Sequence, residues 1–284
     1  MNIKAPAKIN LGLKIINKRM DGFHNLETIF YPIKLADEIS FEISESNKNN
    51  NSVFFNSDNK FIPHDRNNIC FKVIEIFFKT FHITNFYNIK IFLRKNIPVG
   101  GGLGGGSSDA AAILKYLISY FKIDITKSKK EILNIALSVG SDVPFFLIHK
   151  PCFASGRGEN LSILKDFSLE TYDIILVNPN LHISTKSAFE GLNFSEEEMR
   201  HSDLKNVTVF DKSTIPLLVN DFEINVFNKN PELEIIKKEL IDFGALFASL
   251  SGSGATMFGI FEKGGVAETA FNYYKSKNYF TFIS

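Results

Sequence analysis

The sequence predicts an α+β fold, on three observations. Apolar residues alternate or run β-branched at 9–16, 28–43 and 88–94, which is the strand period. They fall at helical spacing over 69–81 and again from Ser107 onward. In the second half, strand-like and helix-like stretches mix without the strict alternation of a parallel α/β fold.

In chain order, strands over 9–16 and 28–43 come first. Residues 45–60, with Asn49-Asn50-Asn51, are polar and suit an exposed hairpin end. A helix from Ile69 to about Phe81 and a strand over 88–94 follow. The clearest helix begins at Ser107. Ser107 and Ser108 are N-cap types, Asp109 sits in the first turn, and Ala110, Ile113, Leu114, Leu117 and Phe121 repeat at helical spacing. A helix near 129–139 ends at Gly140, and strands at 152–155 and 172–178 flank a Gly156-Arg157-Gly158-Glu159 hairpin turn. Beyond Pro179, helices are expected near 215–227, 231–242 and 265–277, among strands near 246–250, 255–261 and 279–283. A domain boundary is expected near 160–170, dividing the chain into 1–163 and 164–284.

Composition narrows the function classes. At 284 residues the chain exceeds the usual size of one domain, and 44% hydrophobic residues suffice for a substantial core. Lys and Arg number 32 against 31 Asp and Glu, a net +1, which argues against a nucleic-acid partner bound by neutralising many phosphates. Two cysteines, Cys70 and Cys152, are too few for a disulfide framework, and six scattered histidines show no zinc spacing. No leader segment and no bilayer-length apolar run are read, so a cytoplasmic protein without a membrane partner is expected.

The strongest single signal is Pro98-Val99-Gly100-Gly101-Gly102-Leu103-Gly104-Gly105-Gly106-Ser107-Ser108, set between a strand and a helix. Six glycines in seven positions let backbone N–H groups crowd an anion without Cβ obstruction. The helix that follows aims its free N–H groups and positive dipole end at the same place. The segment reads as a triphosphate cradle, with a flexible linker as the rival; linkers do not abut a capped helix.

Three partial motif matches fail. Gly100, Gly102 and Gly105 satisfy GxGxxG and Asp124 lies at a plausible distance. A dinucleotide fold, however, needs a second strand for which Phe121-Lys122-Ile123 leaves no room. No lysine follows the last glycine, so the P-loop pattern is absent. Asp242-Phe243-Gly244 spells a kinase signature without the companion motifs and reads as a helix end.

Two more segments flank the loop: Ala5-Pro6-Ala7-Lys8-Ile9-Asn10-Leu11-Gly12-Leu13 and Ser249-Leu250-Ser251-Gly252-Ser253-Gly254-Ala255-Thr256. With residues 98–108 they resemble, in order, the three signature motifs of the GHMP kinases. Asp21-Gly22-Phe23-His24 and Gly140-Ser141-Asp142-Val143-Pro144-Phe145-Phe146 narrow the resemblance to the branch acting on a cytidine diphosphate-linked methylerythritol. The resemblance implies a two-domain α+β fold, with an N-terminal half like domain 2 of ribosomal protein S5 and a ferredoxin-like C-terminal half. It places the active site in the interdomain cleft. It also implies a small-molecule substrate, ATP and Mg²⁺, phosphorylation of the substrate's 2-hydroxyl, and a monomer or weak homodimer.

Residue roles follow from the same likeness. Asp142 becomes the general base, its rival role being an N-cap before Pro144. Lys8 becomes its catalytic neighbour, the rival being a surface lysine on an edge strand. Phe23 and His24 are read as cytosine readers, by stacking and by bonding the polar edge of the base. Position 23 is often Tyr in the family, so a bond through that hydroxyl is lost here. Asn10 is expected on the methylerythritol moiety or a phosphate. Thr185 and Phe189 are expected at the substrate pocket, with core packing as the rival for Phe189. Gly252 and Ser253 are expected to approach a phosphate, a strand–strand turn being the alternative. Lys95 and Asn68 are read as neighbours of the adenosine, and Ser107 or Ser108 as a hydroxyl for the phosphate or its Mg²⁺, with Ser108 named as the metal ligand. The competing functions are another GHMP kinase, acting on mevalonate, homoserine or a sugar, and a nucleotide-binding module without catalysis.

Overall fold

The structure is a computed structural model and describes residues 1–190, 192 and 200–284. One compact unit gathers residues 1–7, 35–99 and 104–149, and the other gathers 8–34, 100–103 and 150–284. Both are built from discontinuous segments, because β1 (Asn2–Lys18) and β2 (His24–Glu45) each contribute to both.

In the first unit, β4 (Tyr87–Arg94) buries Tyr87, Ile89, Ile91 and Leu93 and turns Lys90, Phe92 and Arg94 outward, a clean period of two. It pairs antiparallel with β2, from Glu38 opposite Arg94 to Glu45 opposite Tyr87. It also pairs in parallel with β3 (Ser52–Ser57). The polar stretch 45–60 is therefore not wholly a hairpin end. Asn49 to Asn51 are exposed, but Val53-Phe54-Phe55 joins the sheet, a run too short to stand out among asparagines. Helix α1 (Ile69–Thr80) buries Cys70, Val73, Ile74, Phe77 and Phe78, the i, i+3, i+4, i+7, i+8 stripe of an amphipathic helix. Full burial of Phe77 alone contributes about 2–3 kcal/mol. Helix α2 (Gly105–Tyr120) packs against α1 and also against α4 (Val143–Ile148), which follows α3 (Lys129–Val139). Helix α2 begins two residues earlier than the serines suggest. Gly104, at φ 72°, is its N-cap and makes no side-chain bond, so Ser107 and Ser108 lie inside the first turn.

The second unit centres on an antiparallel sheet in the order β10-β7-β9-β8, from β7 (Tyr172–Asn178), β8 (Phe247–Leu250), β9 (Met257–Glu262) and β10 (Phe280–Ile283). Helices α6 (Phe222–Lys229), α7 (Pro231–Asp242) and α8 (Val266–Ser276) join Ile175, Val177, Met257 and Phe261 to Leu233, Leu240 and Tyr274 in one core. Gly156-Arg157-Gly158 does turn a hairpin, but β5 (Cys152–Ser155) pairs there with β6 (Asn160–Ile163), a short strand the sequence does not mark, and not with 172–178; β5 also pairs with Thr28 to Phe30 of β2. A short helix, α5 (Thr185–Phe189), follows β7.

The helix expected over 215–227 is broken. A 3-10 turn at Ile215–Leu217 gives way at Asn220 and Asp221 before α6 begins. The cause is polar pinning. Asn220 donates to Leu250 O and Gly252 O, while the Asp221 carboxylate accepts from Ile15 N, Lys14 and Arg200. At the other decoy, Gly244 N–H returns to Ile241 O and Ala245 N–H to Leu240 O, which closes the end of α7. Among the described residues no helix is long and apolar enough to cross a membrane.

Candidate active site

The glycine loop alternates in hand. Gly100, Gly102 and Gly104 take φ of 68°, 75° and 72°, with residues of ordinary φ between them, the backbone pattern that turns successive N–H groups into one concavity. Its carbonyls are spent on the protein. Gly101 O accepts from Thr256 N, Leu103 O from Lys8 N, and Gly102 O from both Ser251 Oγ (2.9 Å) and Lys8 Nζ (3.1 Å). Among the described residues, none of the amides of 100–103 donates to a backbone carbonyl. Gly102 also lies so near the turn after β8 that a Cβ there would stand 2.0 Å from Ser251 O. The segment 251–256 is thus both the strand–strand turn between β8 and β9 and the neighbour of the glycine loop.

Lys8 is not a surface lysine. It is 4% exposed, donates to Asn10 Oδ1 and Gly102 O, and sets its ammonium 5.1 Å from the centroid of the Phe30 ring. Asn10 is spent as well: its Nδ2 donates to Thr28 Oγ1 (3.0 Å), and Thr28 in turn donates to Gly12 O (2.6 Å). Its amide therefore fixes Lys8 rather than standing open to a substrate, and Thr28 joins the set as a residue the motifs did not mark. The only sign of Thr28 in the sequence is a hydroxyl ahead of the apolar pair Ile29-Phe30.

The second unit also brings together the residues named for the cytidine and its neighbours. The His24 and Phe189 rings stack, with centroids 4.5 Å apart and planes at 17°. Phe189 meets the buried Phe222 edge-on, so it belongs to the core on one side and to His24 on the other. Burial, and then the charge of Lys18, hold the His24 pKa below its ordinary value. At neutral pH the ring is uncharged, with one N–H donor and one acceptor. Thr185 Oγ1 and Ser253 Oγ are 3.2 Å apart. Phe23 is exposed, with the Arg157 guanidinium 4.8 Å from its ring centroid, so the 156–159 turn carries a contact beyond its turn geometry.

In the first unit, Asp142 directly precedes α4 with helical backbone, φ −83° and ψ −13°, and its side chain makes no cap bond. It thus holds the N-cap position before Pro144 without capping through its side chain. Gly140, two residues before it, lies beside the start of α2: a Cβ there would stand 3.6 Å from Ser107 Oγ. Ser107 thus meets the turn that carries Asp142. Ser108 points elsewhere, 1% exposed and donating to Pro6 O at 2.6 Å. Asn68 is the N-cap of α1, accepting from Cys70 N and donating to Pro63 O. Lys95 is buried between Asp37 and Asp109, so its ammonium does not stand open beside an adenosine. The sequence patterns marked neither carboxylate as its partner.

For Mg²⁺ the donor set is modest. Among the described residues no three His, Cys, Asp or Glu side chains gather to hold a metal. Mg²⁺ ordinarily keeps several waters and is held by one or two carboxylates and the substrate phosphates. The half-buried Ser107 hydroxyl fits that role; Ser108, with its proton on Pro6 and its oxygen buried, fits it less well.

Family models for the GHMP kinases N terminal domain and the GHMP kinases C terminal match residues 68–150 and 212–279. The chain is 39% identical over 261 residues to 4-diphosphocytidyl-2-C-methyl-D-erythritol kinase of Porphyromonas gingivalis, covering 90% of each chain. It is 35% identical to the enzyme of the same name from Clostridium tetani, covering 100% of this chain and 99% of the other. A crystal structure of 4-(cytidine 5'-diphospho)-2C-methyl-D-erythritol kinase matches with a TM-score of 0.79 at 26% identity, covering 100% of this chain and 98% of that one. With such identity over nearly its whole length, the chain belongs to the 4-diphosphocytidyl-2-C-methyl-D-erythritol kinase family of the GHMP kinases.

Proposed function

We propose that this chain transfers the γ-phosphoryl group of ATP to the 2-hydroxyl of 4-diphosphocytidyl-2-C-methyl-D-erythritol, giving the 2-phosphate and ADP on the non-mevalonate route to isoprenoid precursors. The observation that carries the reading is the glycine loop. Its φ values alternate in sign, and its carbonyls at 101–103 are all engaged by the protein, which leaves amide donors for phosphate oxygens. The stacked His24 and Phe189 rings, with an uncharged imidazole, support an aromatic base as the recognised end of the acceptor. The family matches at 68–150 and 212–279 fall on either side of residue 163, whereas the compact units themselves are discontinuous and exchange chain at 7, 34, 99, 103 and 149.

In the reaction the acceptor oxygen bonds to the γ-phosphorus as the bond to the β–γ bridging oxygen breaks, and ADP leaves. Asp142 takes the hydroxyl proton. A tertiary alcohol is a poor acid, so the base accepts that proton only as the new bond forms, an assistance worth about 10²–10⁴-fold. Lys8, fixed by Asn10 and Gly102 O, offsets charge on the transferring group and orients the acceptor. Mg²⁺, when bound with the triphosphate, would neutralise phosphate charge, and the Ser107 hydroxyl would help hold it.

A coupled ADP-release assay tests the substrate, run with 4-diphosphocytidyl-2-C-methyl-D-erythritol beside mevalonate and homoserine. Turnover is expected with the first alone, and CMP should compete with it but not with ATP. Turnover of mevalonate or homoserine without any effect of CMP would overturn the reading. Asp142→Ala should lower kcat by about 10²–10⁴-fold while KM for ATP moves by no more than a few-fold; normal turnover would take Asp142 out of the mechanism.

A further inference from the structure

At the two ends of the glycine loop stands a buried ion cluster that the chemistry above does not use. Lys95, Asp37 and Asp109 have side chains 3%, 0% and 3% exposed. Lys95 Nζ donates to Asp37 Oδ2 and, at 2.9 Å, to Asp109 Oδ2. Asp37 Oδ1 accepts from Asn96 N (2.7 Å) and Ile97 N (2.8 Å). Lys95, Asn96 and Ile97 are the last residues before the loop, and Asp109 sits on α2 just after it. One cluster, anchored by Asp37 on β2, therefore holds both ends of the segment 98–108. It lies against the loop's last glycines: a Cβ on Gly105 would stand 3.1 Å from Lys95 Nζ and 3.4 Å from Asp37 Oδ2. A buried ion cluster is a costly way to gain stability, and apolar residues of equal volume would often serve as well. What apolar packing cannot supply is directed bonds from one ammonium to two chain segments.

We propose that Lys95, Asp37 and Asp109 are positioning residues: they close the ends of the glycine loop and preset its amide groups for a triphosphate. A loop ordered before binding does not spend ligand affinity on its own ordering. The effect falls on nucleotide affinity and not on the acceptor or the chemical step. The inference rests on the loop's role as a triphosphate cradle.

Asp109→Leu tests it with little change of volume, removing the acceptor for Lys95 and leaving the Lys95–Asp37 pair in place. On the full chain, KM for ATP and Kd for ADP should rise about tenfold, while kcat and KM for the cytidine substrate stay within about twofold. Amide hydrogen exchange over 98–106 should quicken. Lys95→Met, if it folds, should raise KM for ATP further, because it releases both ends. Asp109→Leu with unchanged ADP affinity and unchanged exchange over 98–106 would overturn the clamp. So would an equal loss of affinity for nucleotide and cytidine substrate without faster exchange. Exchange and ADP titration need no phosphoryl acceptor, so a wrong substrate assignment would show separately in the turnover assay.

Discussion

Phe189 shows how a single side chain serves two ends. Its edge meets Phe222 in the core and its face carries His24, so its removal loosens the imidazole without emptying the core. Phe189→Ala should raise KM for the cytidine substrate about tenfold, near the value of one lost aromatic stack, and leave KM for ATP unchanged. Steady-state kinetics with each substrate varied in turn would check it; an equal rise in both constants would mean that Phe189 acts through general packing. Lys8, Asp142 and the Phe23-His24 pair are proposed for the site because they stand in sequence motifs. Thr28, Asp37 and Asn220 were not legible, since each acts through a partner distant in sequence. Asn10 was legible as a site residue, but the use of its amide was not: only the structure shows it between Lys8 and Thr28.

Among the elements, the glycine loop and the turn after β8 constrain each other most tightly. Gly102 combines φ 75° with a neighbouring carbonyl 2.0 Å from where a Cβ would stand. Gly102→Ala must therefore strain the backbone and push Ser251 away, which would also disturb the two bonds that Gly102 O accepts. A loss of stability of about 1–3 kcal/mol is expected by thermal or urea unfolding, with activity falling as well. Elements with a strong period, such as α1, β4 and α7, were legible from apolar spacing alone. The start of α2 was misjudged because serines look like caps, whereas Gly104 reaches the left-handed backbone that the loop requires. The break before α6 was hidden because apolar residues continue across it while Asn220 and Asp221 pin the chain.

For the whole molecule, the buried cluster sets a pH dependence. Burial, the largest cause, pushes the Asp109 carboxyl up to about 8, with Lys95 opposing and Asp37 adding to the rise. The folded chain thus keeps a proton that the unfolded chain releases above about 3.9. Between that value and about 8 the folded state binds more protons, so this group's contribution to stability falls as pH rises across the window. Tm measured from pH 4.5 to 8.5 should show that decline in the wild type and less of it in Asp109→Asn. Identical slopes would assign the dependence to other groups.

The chain passes from one unit to the other after residues 7, 34, 99, 103 and 149. No single peptide bond therefore divides it into two self-sufficient pieces. A fragment ending at 163 would keep Leu13 and Ile15 but lose the α6 and α7 residues they pack with. Co-expressed halves cut there should depend on each other for solubility, and one made alone should fall to proteases or aggregate. In evolutionary terms, two bodies laced together by shared strands can be inherited, duplicated or lost only as one.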